Sequence, residues 1–378
     1  MKVLQISCGF NYSSVYNNLF SELARKGIAQ EVYNPQHNYF ESNSKKDDYL
    51  FKYHPSKIIK SYDKLLYFTK IHRMKHDVEL NFDMNNVSLI HAHSLFSDGG
   101  VAYELYKKYN IPYLVAIRNT DINKYYKYAF HLRGYAEKIL LNAKRIIFIS
   151  PIYRQQFSKK YVSARNQKTI EAKTVVIPNG IDSFWLNNKW NIERSINRNK
   201  IRLLSVGVVD RNKNSLNLVK ACNKIIEEEG IEVDVTLVGR IKDRKYFNSL
   251  SKFSFVNHID YLNKESLIQI YRDNDIYVMP SINETFGLVY VEAMSQGLPI
   301  IYTRGQGFDG QFKEGIVGYS VDSLEPSDIA SKILRILSDY SVISKNCVKL
   351  ADIYTWDKSA DDIIKIYNNS LLRRNSNE

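Results

Sequence analysis

Pro280-Ser-Ile-Asn-Glu-Thr-Phe-Gly-Leu-Val-Tyr-Val-Glu-Ala-Met-Ser-Gln-Gly-Leu-Pro299 is the stretch on which the reading of this chain turns. One short apolar run, Ile276 to Pro280, leads into it and another, Pro299 to Thr303, follows it. The spacing between them predicts a helix over Phe286 to Gln296, so the segment reads as strand, helix, strand, the unit of a parallel α/β sheet. From Thr285 to Thr303, a run of 19 residues, Glu292 is the only charged side chain. A carboxylate on an apolar helix between two buried strands is costly unless hydrogen-bond donors reach it. Ribose hydroxyls are such donors; a Lys or Arg from elsewhere in the fold is the alternative. Thr285 and Gly287 fall where strand becomes helix. Backbone N–H groups and the positive helix end there face the crevice at the carboxyl edge of the sheet, where phosphates bind. Glu284 lies just outside the helix, either to accept from sugar hydroxyls or as an ordinary surface-loop residue.

Outward from this segment, strands are predicted at Ile201 to Gly207 and Asp234 to Gly239. Helices are predicted at Ser215 to Glu229, Lys264 to Arg272 and Pro326 to Asp339. The first strand ends in Gly207-Val-Val-Asp-Arg-Asn-Lys-Asn214, which places Arg211 and Lys213 beside the same crevice. A departing diphosphate there needs its charge neutralised. Two motifs are set aside. Gly305-Gln-Gly-Phe-Asp-Gly310 spells G-x-G-x-x-G but follows a late strand and opens no helix, so it is not read as a dinucleotide fingerprint. Asp273-Asn-Asp275 resembles a metal-holding acidic pair, yet sits between a helix end and a strand, where turn and capping duty fits better.

The N-terminal half repeats the alternation. Strands are expected at Val3 to Ser7, Ile28 to Tyr33, Val87 to Ala92, Tyr113 to Ile117 and Arg145 to Ser150, with a helix from Ser14 to Lys26 closed by Gly27. Val175-Val-Ile-Pro-Asn-Gly-Ile-Asp182 is a strand ending in a turn, read as the exit from a first domain. The expected domains are 1–180, 181–355 and a last helical segment, 356–378. His91 and His93 follow a strand and are expected to face a cleft between domains. Their spacing could hold a metal, but no further Cys or His completes a site.

With 378 residues and 44% hydrophobic content the chain can bury two cores. Three cysteines at no metal spacing read as reduced. The start of the chain enters a strand directly, and no run reaches the roughly 20 apolar residues a bilayer span requires, so a soluble or peripheral protein in the cytoplasm is expected. The net charge of +13 calls for anionic partners. Residues 45–75 hold nine Lys or Arg against three acids, interleaved with tyrosines and aliphatics. From Pro55 the apolar positions fit helical spacing, giving a basic amphipathic segment suited to an anionic membrane surface or, alternatively, a core helix with a solvated basic face. No nucleic-acid motif is present, and no specific nucleic acid is expected as a partner.

These residues resemble the retaining glycosyltransferases of the GT-B fold, in the large group 1, family 4 class. The strongest part is the E-x7-E segment from Glu284 to Glu292. Supporting matches are Pro178-Asn-Gly-Ile-Asp182, the Lys213 loop, Val235-Thr-Leu-Val-Gly239, His91-Ala-His-Ser94 and Trp356 at the head of the last helix. The resemblance implies two Rossmann-like domains facing across a cleft, with the last helix crossing back to the N-terminal one. It implies that Glu292 holds the donor ribose and Glu284 the donor sugar. The backbone of Thr285, Phe286, Gly287 and Leu288 would hold the phosphates, and Lys213 the diphosphate. Gly9, His93, Asn119 and Asp121 would line the acceptor side. The substrate would be a UDP- or GDP-sugar with no obligatory cofactor or metal, and a leaving phosphate oxygen would take the acceptor's proton. The chain departs from the family where His-Gly-Thr-Asp is usual: it reads Arg118-Asn-Thr-Asp121, and an arginine stabilises charge but cannot act as a base. Val208 stands where Arg is common, leaving Arg211 as its substitute, and Cys8-Gly-Phe-Asn-Tyr12 lacks the usual paired glycines. With residues 45–75, a lipid-linked saccharide at the inner membrane face is the expected acceptor, in bacterial surface polysaccharide (capsule or exopolysaccharide) assembly. A same-fold nucleotide-sugar epimerase or hydrolase, and a non-catalytic sugar-nucleotide or nucleic-acid binding module, are the alternatives.

Overall fold

The structure, a computed structural model, describes residues 1–37 and 49–372. The chain divides into two compact units, one of Met1–Ile149, Arg154–Gly180 and Trp356–Glu378, the other of Ser150–Tyr153 and Ile181–Thr355.

The first unit is built on strands β1 (Lys2–Ile6), β2 (Ala29–His37), β3 (Lys52–Ile59), β4 (Leu89–Ala92), β5 (Tyr113–Ala116), β6 (Arg145–Phe148) and β7 (Thr174–Val176). Helices α1 (Ser14–Arg25), α2 (Tyr67–Asn81), α3 (Ser97–Tyr109), α4 (Arg133–Asn142), α5 (Pro151–Tyr161) and α6 (Ala164–Glu171) connect or follow them. The seven strands pair in parallel in the order β3-β2-β1-β4-β5-β6-β7. Winding outward from β1 and then back across to β4 makes the loops after β1 and β4 diverge, which opens a crevice at their carboxyl ends. An all-parallel sheet covered on both faces reads as continuous apolar strands, and Val3, Leu4, Ile6, Leu89, Ile90 and Leu114 are all buried.

Residues 45–48 of the basic segment lie outside the described residues, and the helix read from Pro55 is corrected. Residues 52–59 form β3, an edge strand paired, among the described residues, only to β2. Pro55 is tolerated there because an edge strand has a side with no ladder hydrogen bond to lose. The helix begins at Tyr67, and its inward face carries Tyr67, Lys70, Ile71, Met74 and Val78. Several cations of the segment are already committed: Lys70 donates to Ser97 Oγ at 2.5 Å, Arg73 pairs with Asp63, and Lys75 lies 3.5 Å from Glu79.

In the second unit the elements run α7 (Ser183–Asn187), β8 (Lys200–Val206), α8 (Ser215–Glu229), β9 (Glu232–Val238), α9 (Arg244–Leu250) and β10 (Val256–Ile259). They continue with α10 (Lys264–Asp273), β11 (Ile276–Met279), α11 (Leu288–Ser295), β12 (Ile300–Thr303), β13 (Gly318–Val321), α12 (Pro326–Ser338) and α13 (Tyr340–Ala351). The order β10-β9-β8-β11-β12-β13, again all parallel, repeats the same winding and puts the switch point between β8 and β11. Asp275, at the foot of β11, is spent on Arg202, whose Nη2 and Nε lie 2.8 and 3.1 Å from its two carboxylate oxygens. The Asp273-Asn-Asp275 run thus has a structural employment at the amino end of the sheet.

The last helix, α14 (Trp356–Leu372), belongs to the first unit. Lys26 bridges to Asp357 and Asp361 at 2.5 and 2.8 Å, and the Tyr367 hydroxyl accepts from Gln5 at 3.1 Å. Among the described residues no helix is long and apolar enough to cross a membrane.

Candidate active site

In the second unit, the loops after β8 and β11 leave neighbouring strands at the switch point and are tied together by Asn212. Its side-chain amide donates to the Asn283 carbonyl (3.0 Å) and its side-chain oxygen accepts from the Asn283 N–H (3.1 Å). Its own carbonyl accepts from Ile282 at 2.8 Å. Asn214, left-handed at φ 58°, donates to the carbonyls of Pro280 (3.1 Å) and Ser323 (2.6 Å). Asparagine tolerates this backbone better than other side chains, which fits a position that must also bind two loops. Between these two residues, Lys213 has its N–H capped by Asp210 at 3.1 Å, and its aliphatic arm lies over Gly207. A Cβ on Gly207 would stand 3.1 Å from Lys213 Cε, and the residue's φ of 149° already favours glycine.

The arm delivers the Lys213 ammonium to Glu284 Oε2 at 2.7 Å, with the two side chains 23% and 15% exposed. The cation and the carboxylate singled out on separate loops therefore meet as an ion pair at the mouth of the crevice. Glu284 is fixed on every side. Its Oε1 accepts from the Thr285 N–H (3.1 Å), its own N–H donates to Gln306 Oε1 (2.9 Å), and its carbonyl accepts from the Tyr153 hydroxyl (2.7 Å) and the Gly307 N–H (2.8 Å).

This gives the glycine run 305–310 a role that reading it as a nucleotide fingerprint would miss. It opens no helix; instead it buttresses the Glu284 loop. A Cβ on Gly307 would fall 1.9 Å from the Thr285 carbonyl oxygen and 2.1 Å from its carbon, so backbone would have to move. Gly307→Ala is expected to destabilise the unit by at least the ~1–3 kcal/mol typical of overpacking and to shift Glu284 away from Lys213. Chemical denaturation together with donor titration checks this. A variant with wild-type stability and affinity contradicts it.

The helix α11 begins at Leu288, two residues later than the apolar pattern suggested. Gly287, at φ 78°, occupies the N-cap, and a Cβ there would meet the Tyr290 ring at 2.5 Å. Phe286 is consequently a loop residue, buried against Phe308 and Tyr354. One turn into the helix, Glu292 has a single hydrogen-bonding partner for its carboxylate among the described residues, the Tyr271 hydroxyl at 3.3 Å. No Lys or Arg pairs with it there. Burial pushes its carboxyl up to about 7 against the pull of the Tyr271 hydrogen bond, and the charge of Asp182 adds to the rise. Arg211 does not join this group: its side chain is 74% exposed and held by Asp243 at 3.2 Å, over the Tyr246 ring.

The first unit treats its predicted residues differently. His91 and His93 stack at 4.0 Å between ring centroids, and both are buried, so the expectation that they face a cleft is corrected. His91 Nδ1 meets the Tyr367 hydroxyl at 2.8 Å and His93 Nε2 meets Gln5 Oε1 at 2.9 Å. Burial holds both rings neutral, with His91 lowered to about 3. Asp121 is a tie rather than an open carboxylate. It accepts from the N–H groups of Leu95 (3.0 Å), Phe96 (3.1 Å) and Arg118 (2.9 Å), joining the loops after β4 and β5, while burial raises its carboxyl to about 6. Arg118 donates from Nε to the His93 carbonyl (3.2 Å) and lies over the Tyr16 ring. Gly9 makes room for that ring: a Cβ would sit 2.8 Å from Tyr16 Cε2. Asn119 accepts from the Asn123 amide one turn on. Two groups at this edge carried no sequence signal, the buried Lys70 and Asp98, whose carboxylate accepts from the Cys8 N–H at 3.0 Å and is raised by burial to about 6.

A lysine–glutamate pair thus stands at the switch point of a parallel sheet, with a second glutamate one turn into the helix that follows. Comparison with known proteins gives the class its name. Residues 187–352 match the family model of glycosyl transferases group 1, and residues 13–183 match that of glycosyltransferase family 4. On these two matches the chain belongs to the group 1, family 4 glycosyltransferases. Among curated relatives it is 30% identical over 215 residues to an uncharacterized glycosyltransferase of Methanocaldococcus jannaschii, covering 53% of this chain and 55% of the relative. It is 34% identical over 106 residues to a D-inositol 3-phosphate glycosyltransferase of Corynebacterium urealyticum, covering 27% of this chain and 25% of that protein. The chain thus spans about half the length of the first of these relatives and a quarter of the second. Sucrose-phosphate synthase from Thermosynechococcus elongatus superposes with a TM-score of 0.76 at 20% identity, covering 99% of this chain and 100% of that one. An Anabaena protein in complex with UDP and glucose superposes with a TM-score of 0.68 at 16% identity, covering 98% and 100%. These likenesses show the fold, the GT-B pair of parallel-sheet domains.

Proposed function

We propose that the protein transfers a sugar from a nucleotide-sugar donor, a UDP-sugar in the first instance, to a saccharide acceptor with retention of anomeric configuration. The observation that carries this is the Lys213–Glu284 pair at 2.7 Å on the switch-point loops, together with Glu292, which no Lys or Arg among the described residues pairs with. In this reading Glu292 accepts from the ribose hydroxyls, the N–H groups of Phe286, Gly287 and Leu288 receive the phosphates at the start of α11 while that of Thr285 stays on Glu284 Oε1, and Lys213 meets the departing diphosphate. The acceptor hydroxyl oxygen bonds to the anomeric carbon as the bond from that carbon to the diphosphate breaks, and its proton passes to the leaving phosphate oxygen. Residues 1–180 supply the acceptor side through Gly9, Arg118 and Asn119. Arg118 stabilises charge, and Asp121 and His93 position the loops around it.

Calorimetry against UDP-, GDP- and ADP-sugars, followed by NMR of the product anomer, tests the reading. Donor turnover without any acceptor would identify an epimerase or hydrolase. Unchanged function in Glu292→Ala would identify a binding module.

A lipid-linked acceptor at an anionic membrane face is favoured by one observation. Leu65, Leu66, Phe68 and Tyr62, just before and at the start of α2, are 85%, 50%, 56% and 49% exposed. Apolar side chains beside Lys57 and Lys60 suit an interfacial contact. Liposome flotation should show binding that needs anionic lipid and weakens in Leu65→Ser/Leu66→Ser. Binding indifferent to both sinks this acceptor assignment.

A further inference from the structure

The first unit carries a second concentration of positive charge, at the edge of its sheet opposite to the crevice. Residues at the amino ends of β6 and β7 and the last turns of α3, α4, α6 and α14 enclose a recess of about 630 Å³. Lys144, Arg145 and Lys173 line it together with the polar groups of Asn142, Thr169 and Asn369, and among the described residues no Asp or Glu does. We propose that this recess binds a small phosphorylated ligand, a phosphate or diphosphate ester of a hydroxylated body, at a site separate from that of the donor.

Three cations around one cavity need an explanation. Part of it is local. Lys173 Nζ donates to the Leu141 carbonyl in the last turn of α4, where a cation complements the helix dipole, and Asn142 donates to the Lys138 carbonyl at 2.8 Å. That duty accounts for Lys173 and not for its neighbours. Among the described residues Arg145 donates from Nη1 only to the carbonyl of Lys144, at 2.9 Å, and Lys144 pairs with no carboxylate. Burial, and after it repulsion from Lys144 and Arg145, hold the Lys173 ammonium below its usual value. Lys26, Arg73 and Lys108, elsewhere in the unit, each pair with a carboxylate. Like charges gathered without a counter-charge are stabilised by an anion of two or more charges. The volume exceeds what an inorganic phosphate fills, and Asn142, Thr169 and Asn369 offer hydrogen bonds to hydroxyls on the remainder. Flexible lysines bind phosphate as point charges, and Arg145 adds a planar fork.

The test is calorimetry with inorganic pyrophosphate on the full chain, on Lys213→Ala, which removes the donor-site cation, and on Lys213→Ala/Lys144→Gln/Arg145→Gln. The Lys213→Ala protein is expected to retain one pyrophosphate site whose affinity falls at least tenfold in the triple variant and declines with added salt. Glucose 1-phosphate and UDP, titrated into the same proteins, then separate a sugar-phosphate from a nucleotide ligand. Lys144 is exposed, so Lys144→Glu gives a folded control that should abolish binding by reversing one charge. Loss of all pyrophosphate binding in Lys213→Ala alone overturns the proposal, as does binding unchanged by the Lys144 and Arg145 substitutions. Capture of acidic vesicles through Lys144 and Arg145 without pyrophosphate binding overturns it in favour of a membrane surface.

Discussion

Lys213→Ala is expected to lower kcat for sugar transfer by on the order of 10²–10³, the loss seen when one charge-stabilising group is removed from a developing anion. Charge on the diphosphate grows as the bond to the sugar breaks, so the loss should fall on kcat more than on KM. The same substitution has a structural cost that must be separated from the catalytic one. The pair it breaks is only 23% and 15% exposed, between an exposed pair worth under about 1 kcal/mol and a buried one whose breakage costs roughly 3–5 kcal/mol. Glu284 would keep its Thr285 N–H and its backbone ties, so a destabilisation of about 1–3 kcal/mol is expected. Lys213→Ala/Glu284→Gln removes both charges and should regain most of that stability with no recovery of rate. If stability and rate recover together, Lys213 acts by holding the loop and not on the diphosphate.

Glu292→Gln should move stability and binding in opposite directions. With its carboxyl raised from the ordinary 4.5 to about 7, folded Glu292 keeps a proton that the unfolded chain gives up between those values. Stability therefore falls as pH rises from about 4.5 to about 7 and is level above that, by about 3 kcal/mol at 1.36 kcal/mol per pH unit. The carboxamide has no such charge to bury. At pH 8 the variant should melt several degrees above the wild-type protein, at roughly 2–4 °C per kcal/mol for a unit of this size. The gap should close toward pH 4.5. Donor binding goes the other way. Ribose hydroxyls donate best to the ionised carboxylate, so wild-type affinity for UDP should tighten as pH rises through about 7. The variant should bind at least tenfold more weakly at pH 8, by the roughly 1.5–3 kcal/mol of a hydrogen bond to a charged group. Melting curves and UDP titrations at pH 5 and pH 8 read both effects. A variant that is neither stabilised at pH 8 nor weakened in binding UDP would remove Glu292 from the ribose.

Much of the second unit was legible in the sequence because its chemistry conflicts with its surroundings. A lone glutamate in 19 residues without another charge announces a partner, and Gly207 and Gly287 mark backbone that other side chains resist. The first unit offered less. His91, His93 and Asp121 are the residue types of a working site, yet tertiary packing turns them inward, where Tyr367 and Gln5 engage one nitrogen of each ring and three backbone N–H groups the carboxylate. Edge strand β3 was misread because Lys, Tyr and Ile alternate there at a spacing that also fits a helix, and only its pairing with β2 decides between the two.

What the sequence determined by itself is local and periodic: the alternation of strand and helix, the doubled parallel architecture, and the two glutamates with the lysine loop. Which of these groups meet is a matter of strand order. Lys213 and Glu284 are 71 residues apart and become a 2.7 Å pair because β8 and β11 are neighbours in the sheet. Tyr271 on α10, Gly307 beyond β12 and Tyr153 from far upstream fix the two glutamates from three further directions. Those contacts, and the cluster of Lys144, Arg145 and Lys173, depend on distances between elements that no single stretch of chain encodes.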